Sequence, residues 1–287
     1  MSDNESPKNP MTIIDLGAHR GSDIQYYLNK ADFVVAVEAN PELCEIIRKN
    51  HSGELSSGAL VVENCVVTTN DDYRDEGVDF FIHNEHTYQS QFEEPEENRR
   101  MLYTKHHLKC RSIGDLIAEY GVPHYLKIDL EGYDSEIIES LFNMGVFPDY
   151  ISCEIHTQKS VNLLLSCNEY VGFKLLNGSS ISTVYSDVEV ETKAGRKSFS
   201  FRDHMAGPFG SDLKGVWLGR RQMKVKVLFD GLGWRDLHAS RVDHAMHSFP
   251  KVLMTSFGRM ILRKAGSVFP RKTKSEAQRF LDKIIPQ

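Results

Sequence analysis

Short apolar runs alternate with stretches of helical spacing along most of the chain, from residue 12 to about residue 177. The runs predict buried strands, and the stretches between them predict connecting helices. Strands are expected at 12–16, 33–38, 60–67, 79–83, 125–129, 150–156, 173–177 and 216–219. Helices are expected near 22–29, 40–50, 112–120, 135–144 and 161–167. This alternation predicts an α/β fold with a mostly parallel, doubly wound sheet.

Polar residues stand at or just after the ends of five of these runs. They are Asp15, Glu38, Asn64, Asp129 and His156. Because ligands of such sheets bind beyond the carboxyl ends of the strands, the five side chains predict one shared site.

The first two strands flank a glycine-containing turn. Gly17 and Gly21 bracket this turn, and Glu38 ends the second strand. The glycines let backbone approach a ligand, and the acid can accept hydrogen bonds from ribose hydroxyls, as in nucleotide-binding βαβ units. Taken alone, the turn is equally typical of a dehydrogenase or of another nucleotide site.

Charge divides the chain of 287 residues into two parts. Residues 221–287 contain 14 lysines and arginines against 5 acidic residues, whereas the whole chain has a net charge of −6. We expect a disordered lead-in at 1–11, a main domain at 12–220 and a basic, partly helical extension at 221–287. Helical patterns in the extension cover 252–264 and 274–285.

The basic extension allows several interpretations. It either packs on the acidic main domain or contacts an anionic glycan, a membrane surface or a partner enzyme. RNA binding is disfavoured because the extension lacks interleaved aromatic residues and any known RNA-binding module.

Cysteine usage and the start of the chain predict a reducing, cytoplasmic location. The five cysteines are odd in number and form no Cys-x-x-Cys pair, which disfavours a disulfide framework or a zinc site. The first residues are polar, and no apolar run has the length of a membrane span. Peripheral membrane contact through the extension remains an alternative.

Three separated motifs resemble the FkbM family of S-adenosylmethionine-dependent methyltransferases, over roughly residues 12–220. The first joins Ile-Asp-Leu-Gly-Ala-His-Arg-Gly at 14–21 to Val-Glu-Ala-Asn-Pro at 37–41. The second, and most specific, is Leu-Lys-Ile-Asp-Leu-Glu-Gly-Tyr-Asp at 126–134, and the third is Glu-Ile-His at 154–156. Two departures are His19, where the family usually has Asn, and Ala39, where Pro is common.

The resemblance implies a Rossmann-like class I methyltransferase fold that binds S-adenosylmethionine. Glu38 would accept both ribose hydroxyls, Asn64 or Cys65 would lie at the adenine, and Asp15 would reach the amino group through water. The implied cofactor-binding residues are Asp15, Gly17, Ala18, His19, Gly21, Glu38, Ala39, Asn64 and Cys65.

The catalytic candidates are Asp129, Glu131 and His156. A methyltransferase has to align a hydroxyl with the methyl group and remove its proton. His156 suits a base because its reference pKa is near neutral, although a structural role at the strand end is the favoured alternative. Asp129 would lie near the sulfonium or cap the next helix.

Acidic residues around these candidates leave two further alternatives open. Glu131 and Glu154 would pair with Lys127 or Arg202 in a purely structural role. No metal is assigned, although Asp129, Glu131, Glu154 and His156 are ligand types for magnesium.

The resemblance implies an O-methyltransferase that acts on a sugar hydroxyl of a glycan or glycolipid, or on a secondary metabolite. The loops at 89–91 and 204–210 are expected to form the acceptor rim, unless they are ordinary surface loops. A non-catalytic scaffold of a glycan-assembly complex and, less favoured, a nucleic-acid methyltransferase are the alternative functions.

Overall fold

The computed structural model describes residues 10–69, 76–242 and 244. The strands in these residues are β1 (Thr12–Leu16), β2 (Phe33–Glu38), β3 (Leu60–Asn64), β4 (Val66–Thr68), β5 (Val78–His83), β6 (Tyr103–Leu108), β7 (Cys110–Ser112), β8 (Tyr125–Ile128), β9 (Tyr150–Ile155), β10 (Gly172–Asn177), β11 (Val188–Thr192), β12 (Gly195–Phe199) and β13 (Gly233–Ser240). The α-helices are α1 (Ile24–Lys30), α2 (Pro41–Asn50), α3 (Ser52–Ser56), α4 (Ile113–Tyr120), α5 (Asp134–Asn143), α6 (Gln158–Ser166), α7 (Ile181–Val184) and α8 (Arg220–Asp230).

Local chemistry explains where several helices begin. The side chain of Asn40 accepts a hydrogen bond from the backbone N–H of Glu42, and Pro41 occupies the first turn of α2. Ser112 caps α4 in the same way. These residues satisfy backbone N–H groups that have no partner inside the helix, so both helices begin close to their predicted positions.

Seven strands form the central sheet, in the order β10-β13-β9-β8-β1-β2-β3. The strands from β9 to β3 are parallel to their neighbours, whereas β13 runs antiparallel to both β9 and β10. The predicted mostly parallel sheet is therefore confirmed.

Helices cover both faces of this sheet. Ile13, Val34 and Ala36 pack with the buried side chains of α1 on one face. Residues one position along each strand, such as Ile14 and Val35, pack with α4, α5, α6 and α8 on the other face. Because successive side chains of a strand point to opposite faces, a sheet covered on both sides needs continuous apolar runs, and the sequence has them.

Two predicted strands differ from the structure. The run at 60–67 divides at Cys65 into β3, which pairs with β2, and β4, which pairs with β7. The side-chain amide of Asn64 donates to the backbone oxygens of Glu38 and Ala39, which ends the pairing of β3 with β2. The segment 216–219 forms only an isolated bridge between Leu218 and Phe173.

Two antiparallel hairpins, β5–β6 and β11–β12, lie outside the central sheet. The sequence did not indicate β6, because four successive residues of this strand are exposed and carry no alternation of apolar and polar positions. The polar stretch that follows β5 contains short 3₁₀ turns at Thr87–Gln89 and Glu97–Leu102.

The sheet continues beyond residue 220. Met223 and Val227 of α8 are buried in the core, and β13 lies between β9 and β10 with Leu237 fully buried. The expected domain boundary at 220 therefore falls before the last two elements of the sheet domain. The helical patterns at 252–264 and 274–285, like residues 1–9, lie outside the described residues.

Within the described part of the chain, no helix has both the length and the apolar character needed to cross a membrane.

The glycine turn after β1 connects three strand ends. The backbone N–H groups of Gly17 and Ala18 both donate to the oxygen of Val37, at 2.9 and 3.0 Å. Gly17 has φ +82°, and a Cβ built on it would lie 2.0 Å from the backbone oxygen of Asp129. Only glycine therefore allows β1, β2 and the end of β8 to meet this closely.

Replacing Gly17 by alanine tests this close approach, with Gly58→Ala as a matched control. Gly58 has a similar φ of +74° but nothing within 4 Å of a built Cβ. We expect Gly58→Ala to lower the free energy of unfolding by about 1–2 kcal/mol, the cost of a left-handed residue with a side chain. Gly17→Ala should cost at least ~2 kcal/mol more, because backbone atoms must also move.

Urea unfolding of both variants measures the difference. Equal losses for Gly17→Ala and Gly58→Ala would contradict the proposed steric role of Asp129.

Candidate functional site

A cavity of about 480 Å³ lies at the carboxyl ends of β1, β2, β8 and β9. Because β13 runs antiparallel, its first residues reach the same edge. This volume is typical of a small-molecule site. The lining comes from the glycine turn, the strand ends, residues 65–67, the segments at 87–92 and 204–206, and Trp234 and Asp236 of β13.

Six of the nine residues expected to bind the cofactor line the cavity. They are Gly17, Ala18, His19, Glu38, Ala39 and Cys65. The first and second strand ends therefore meet at one side of the cavity, as the sequence predicted.

The other three expected residues lie behind the lining. Asp15 is 1% exposed, and its carboxylate faces Lys127. Gly21 packs against Ile24 and Ile47, where a Cβ would lie 2.8 Å from the Ile24 side chain. The Asn64 amide is held by backbone oxygens, as described above. Asp15, Gly21 and Asn64 therefore support the lining from behind and are not part of it.

The carboxylate of Glu38 is fixed at the end of β2. It accepts hydrogen bonds from the backbone N–H groups of His19 (2.8 Å) and Asn40 (2.7 Å), one on each oxygen. Each oxygen keeps lone-pair capacity for another donor. Burial raises the pKa of Glu38 to about 7, although both backbone donors favour the ionised form.

His19 links the glycine turn to the 3₁₀ turn at Thr87–Gln89. Its Nε2 atom lies 2.9 Å from Oγ1 of Thr87. Its φ is +51°, a left-handed value that Asn and His tolerate better than most residues, so His replaces Asn here without breaking the turn. Burial, then the charge of Arg20, lowers the pKa of His19 to about 4, which keeps the imidazole neutral at pH 7.

Lys127 is the buried cation of the site. It lies opposite Asp15 in the β1–β8 register, 3.3 Å from Oδ1 of Asp15 and 3.1 Å from Oδ2 of Asp129. Burial works to lower the pKa of Lys127, but the nearby carboxylates outweigh it and hold this pKa well above its usual range. Lys127 therefore pairs with Asp15 and Asp129, and not with Glu131 or Glu154 as the sequence suggested.

The three catalytic candidates face the cavity together with Glu154. One carboxylate oxygen from each of Asp129, Glu131 and Glu154 lies within 4.8 Å of the others. The His156 ring nitrogen Nε2 lies 3.3 Å from Oε2 of Glu154.

Electrostatics separates the roles of Glu131 and His156. The hydrogen bond to Glu154 raises the pKa of His156 despite burial, so the ring is an imidazolium at pH 7. An imidazolium cannot accept a proton. Burial, then the charge of Asp129, raises the pKa of Glu131 above its ordinary value. Glu131 also has a left-handed φ of +48°. Such backbone conformations are uncommon outside glycine and cluster at functional sites.

Carboxylates grouped in this way are suitable ligands for a hard divalent cation. In this site, however, Lys127 already contacts Asp129, and His156 already contacts Glu154. Two protein cations therefore balance two of the three carboxylates, and we assign no metal to the group.

Both loops expected at the acceptor rim reach the cavity in part. Gln89 and Ser90 line it, whereas Gln91 forms a backbone bridge with Phe81. In the second loop, 204–206 line it, and the backbone N–H of Ala206 donates to the Asp23 carboxylate at 3.0 Å. Contact with an acceptor remains a prediction for both loops.

Several cavity residues were missed by the sequence analysis. Lys127 was considered only as a partner of Glu131 or Glu154, and Trp234 and Asp236 belonged to the segment expected to be an extension. The alternation of apolar and polar residues in β13 is broken at its start by Trp-Arg-Asp. The sequence therefore did not predict a strand at these positions.

Comparisons with known proteins concern the family and the fold. The model of the methyltransferase FkbM domain matches residues 15–173. No curated protein sequence matches the chain. Among solved structures, methyltransferase FkbM from Methylobacillus flagellatus is similar, with 13% identity and a TM-score of 0.37 over 61% of this chain and 43% of that one.

Two other solved structures are similar at the same level. Precorrin-6y C5,15-methyltransferase from Geobacter metallireducens has 14% identity and a TM-score of 0.34, over 67% of this chain and 74% of that one. An S-adenosylmethionine-dependent O-methyltransferase from Thermotoga maritima has 8% identity and a TM-score of 0.33, over 83% and 61%. TM-scores of this size do not bear on what this chain methylates.

The family model covers more than half of the chain and includes the glycine turn, Glu38, the segment at 126–134 and Glu154 with His156. The predicted resemblance is confirmed, and the chain belongs to the FkbM methyltransferase family.

Proposed function

We propose that this protein is an O-methyltransferase that transfers the methyl group of S-adenosylmethionine to a hydroxyl of a sugar. One observation supports this most strongly. A single cavity contains a backbone-anchored carboxylate, Glu38, at one strand end and the cluster of Asp129, Glu131 and His156 at two others. The first suits a ribose, and the second suits a hydroxyl that must lose its proton.

The cofactor side is formed by the glycine turn and the end of β2. S-adenosylmethionine, when bound, supplies an electrophilic methyl group on a positively charged sulfur. Gly17 and Ala18 offer backbone without bulky side chains, and Glu38 keeps one acceptor position on each oxygen for the two ribose hydroxyls. Asp129, at the end of the neighbouring β8, would lie on the side of the positive charge.

The acceptor side contains the proton acceptor. Glu131 faces the cavity, and its raised pKa brings it closer to working pH, where a general base is most effective. Glu131 would take the proton of the acceptor hydroxyl, whose oxygen would bond to the methyl carbon as the carbon–sulfur bond breaks and S-adenosylhomocysteine leaves. His156, which the sequence analysis considered as the base, instead lies 3.3 Å from the Glu154 carboxylate as an imidazolium and reduces repulsion within the cluster.

The charge of the cavity disfavours the nucleic-acid alternative. Carboxylates of Glu38, Asp129, Glu131, Glu154 and Asp236 line it. Nucleic-acid sites require cations that neutralise phosphates, and the two cations of this lining, Lys127 and His156, are already paired with Asp129 and Glu154. A neutral acceptor with several hydroxyl donors fits the same lining.

Glu38→Gln tests the cofactor side. We expect the Kd of S-adenosylhomocysteine to rise about 10- to 100-fold, because hydrogen bonds to a charged group contribute about 1.5–3 kcal/mol each. Isothermal titration calorimetry measures this, with Glu45→Gln on the exposed face of α2 as the control that leaves Kd unchanged.

The same titration has a pH dependence. The ionised form of Glu38 accepts both hydroxyls, so wild-type affinity should fall as pH decreases through about 7, the pKa of the free site. Glu38→Gln should lack this dependence. Failure of the wild-type protein to bind S-adenosylhomocysteine at any pH would refute the proposed function.

Replacing Glu131 and His156 separately assigns the base. Glu131→Gln should lower kcat by about 10²- to 10⁴-fold, the usual contribution of a general base, while S-adenosylhomocysteine still binds. His156→Gln should shift the wild-type rise of kcat/KM to higher pH, because loss of the imidazolium charge raises the pKa of Glu131 further.

Initial rates of methyl transfer to sugar acceptors, from about pH 6 to about pH 9, measure both effects. If His156→Gln abolished turnover at every pH and Glu131→Gln did not, His156 would be the base and this assignment would be wrong.

A further inference from the structure

The two tryptophans of the chain have opposite environments. Trp217 is packed in the core at 5% exposure, whereas Trp234 is 53% exposed although it lines the cavity. An indole offers a large apolar face, and leaving it in contact with water forgoes the stabilisation that burial provides. Its exposure at the mouth of a site therefore points to a ligand that covers it.

A β-bulge places Trp234 at the cavity. On β9, Ile155 pairs with Gly233 and Glu154 pairs with Asp236, so that Trp234 and Arg235 are inserted between two adjacent pairs. Bulges of this kind redirect side chains and occur beside functional sites. The antiparallel strand thus presents its first residues at the edge where the parallel strands end.

Gly178 fixes the indole in this position. A Cβ built on Gly178 would lie 2.3 Å from Nε1 of Trp234 and 2.5 Å from Cε2. The ring therefore rests against the backbone of the short turn Gly178–Ser180 that follows β10. Gly178 does not have a left-handed φ, so its backbone conformation does not require glycine. Glycine is required here because a side chain at this position would collide with the indole.

Asp236 supplies hydrogen-bond acceptors next to this ring. It is partly exposed, lines the cavity and pairs in register with Glu154. A pyranose has an apolar face of C–H groups and a rim of hydroxyls that donate and accept hydrogen bonds, which match an aromatic face beside carboxyl groups. A dihydroxybenzene would also stack, but it has only two hydroxyls, whereas a pyranose offers several to the carboxyl groups of Glu131 and Asp236.

We propose that Trp234 is the platform on which a pyranose ring of the acceptor stacks, with Asp236 accepting hydrogen bonds from its hydroxyls. This assignment rests on the proposed function and adds the residues that hold the acceptor. Strand β13 is then the acceptor wall of the cavity, opposite Glu38 and the glycine turn.

Two variants test the platform in different ways. Trp234→Ala removes the indole, and Gly178→Ala displaces it without removing it. Each should raise the KM for a methyl glycopyranoside acceptor about tenfold, the effect of losing an aromatic stacking contact. The Kd of S-adenosylhomocysteine should not change in either. Gly53→Ala, at a position where a Cβ meets nothing within 4 Å, is the matched control.

The probes are methyl glycosides of glucose, mannose, fucose and rhamnose, added to the protein saturated with S-adenosylhomocysteine. Tryptophan emission should change in a saturable way in the wild type and not in Trp234→Ala, because Trp217 is buried. Circular dichroism confirms that each variant is folded, as expected for an exposed residue.

The outcomes separate this inference from the proposed function. No binding of S-adenosylhomocysteine to the wild type refutes the proposed function itself. If S-adenosylhomocysteine binds but no glycoside binds or is methylated, or if only dihydroxybenzenes are, the pyranose platform is refuted alone. An unchanged KM in both Trp234→Ala and Gly178→Ala refutes it as well.

Discussion

The buried ion pairs of Lys127 are the interaction on which the site depends. This cation is 5% exposed and lies between Asp15 of β1 and Asp129 at the end of β8. A buried charge is tolerated only when it is closely paired, so the lysine fixes these two strand ends relative to each other. Gly17 completes the contact, since only a residue without a side chain fits against the Asp129 backbone.

Charge pairing then determines which carboxyl group is available for chemistry. Asp129 contacts Lys127, and Glu154 contacts His156. The partial burial of Glu131, followed by the charge of Asp129, raises the pKa of this third carboxyl group. On the far side of the cavity, Glu38 is held by backbone N–H groups rather than by a cation. Each of its oxygens can therefore still accept a hydrogen bond from a ligand. These two environments are the basis on which we propose that Glu38 binds the cofactor ribose and Glu131 accepts a proton.

The sequence predicted the parallel core and much of the site, because buried parallel strands are uninterrupted apolar runs that end in polar residues. It could not tell which way a polar residue points after a strand. Asp15 and Asn64 follow the expected pattern, yet one faces Lys127 and the other faces backbone oxygens. Strand β13 was missed because its bulge interrupts the alternation and its pairing depends on β9 and β10, which are distant in sequence. Trp234 and Asp236, which we propose hold the acceptor, were missed with it.

A crystal structure of the protein with S-adenosylhomocysteine is the most direct test of the central claim that Glu38 and the Asp129 cluster belong to one methyl-transfer site. We expect the ligand in this cavity, with both ribose hydroxyls within about 3.2 Å of the Glu38 carboxylate and the sulfur on the side of Asp129 and Glu131. A ligand bound elsewhere, or one whose ribose does not contact Glu38, would contradict it.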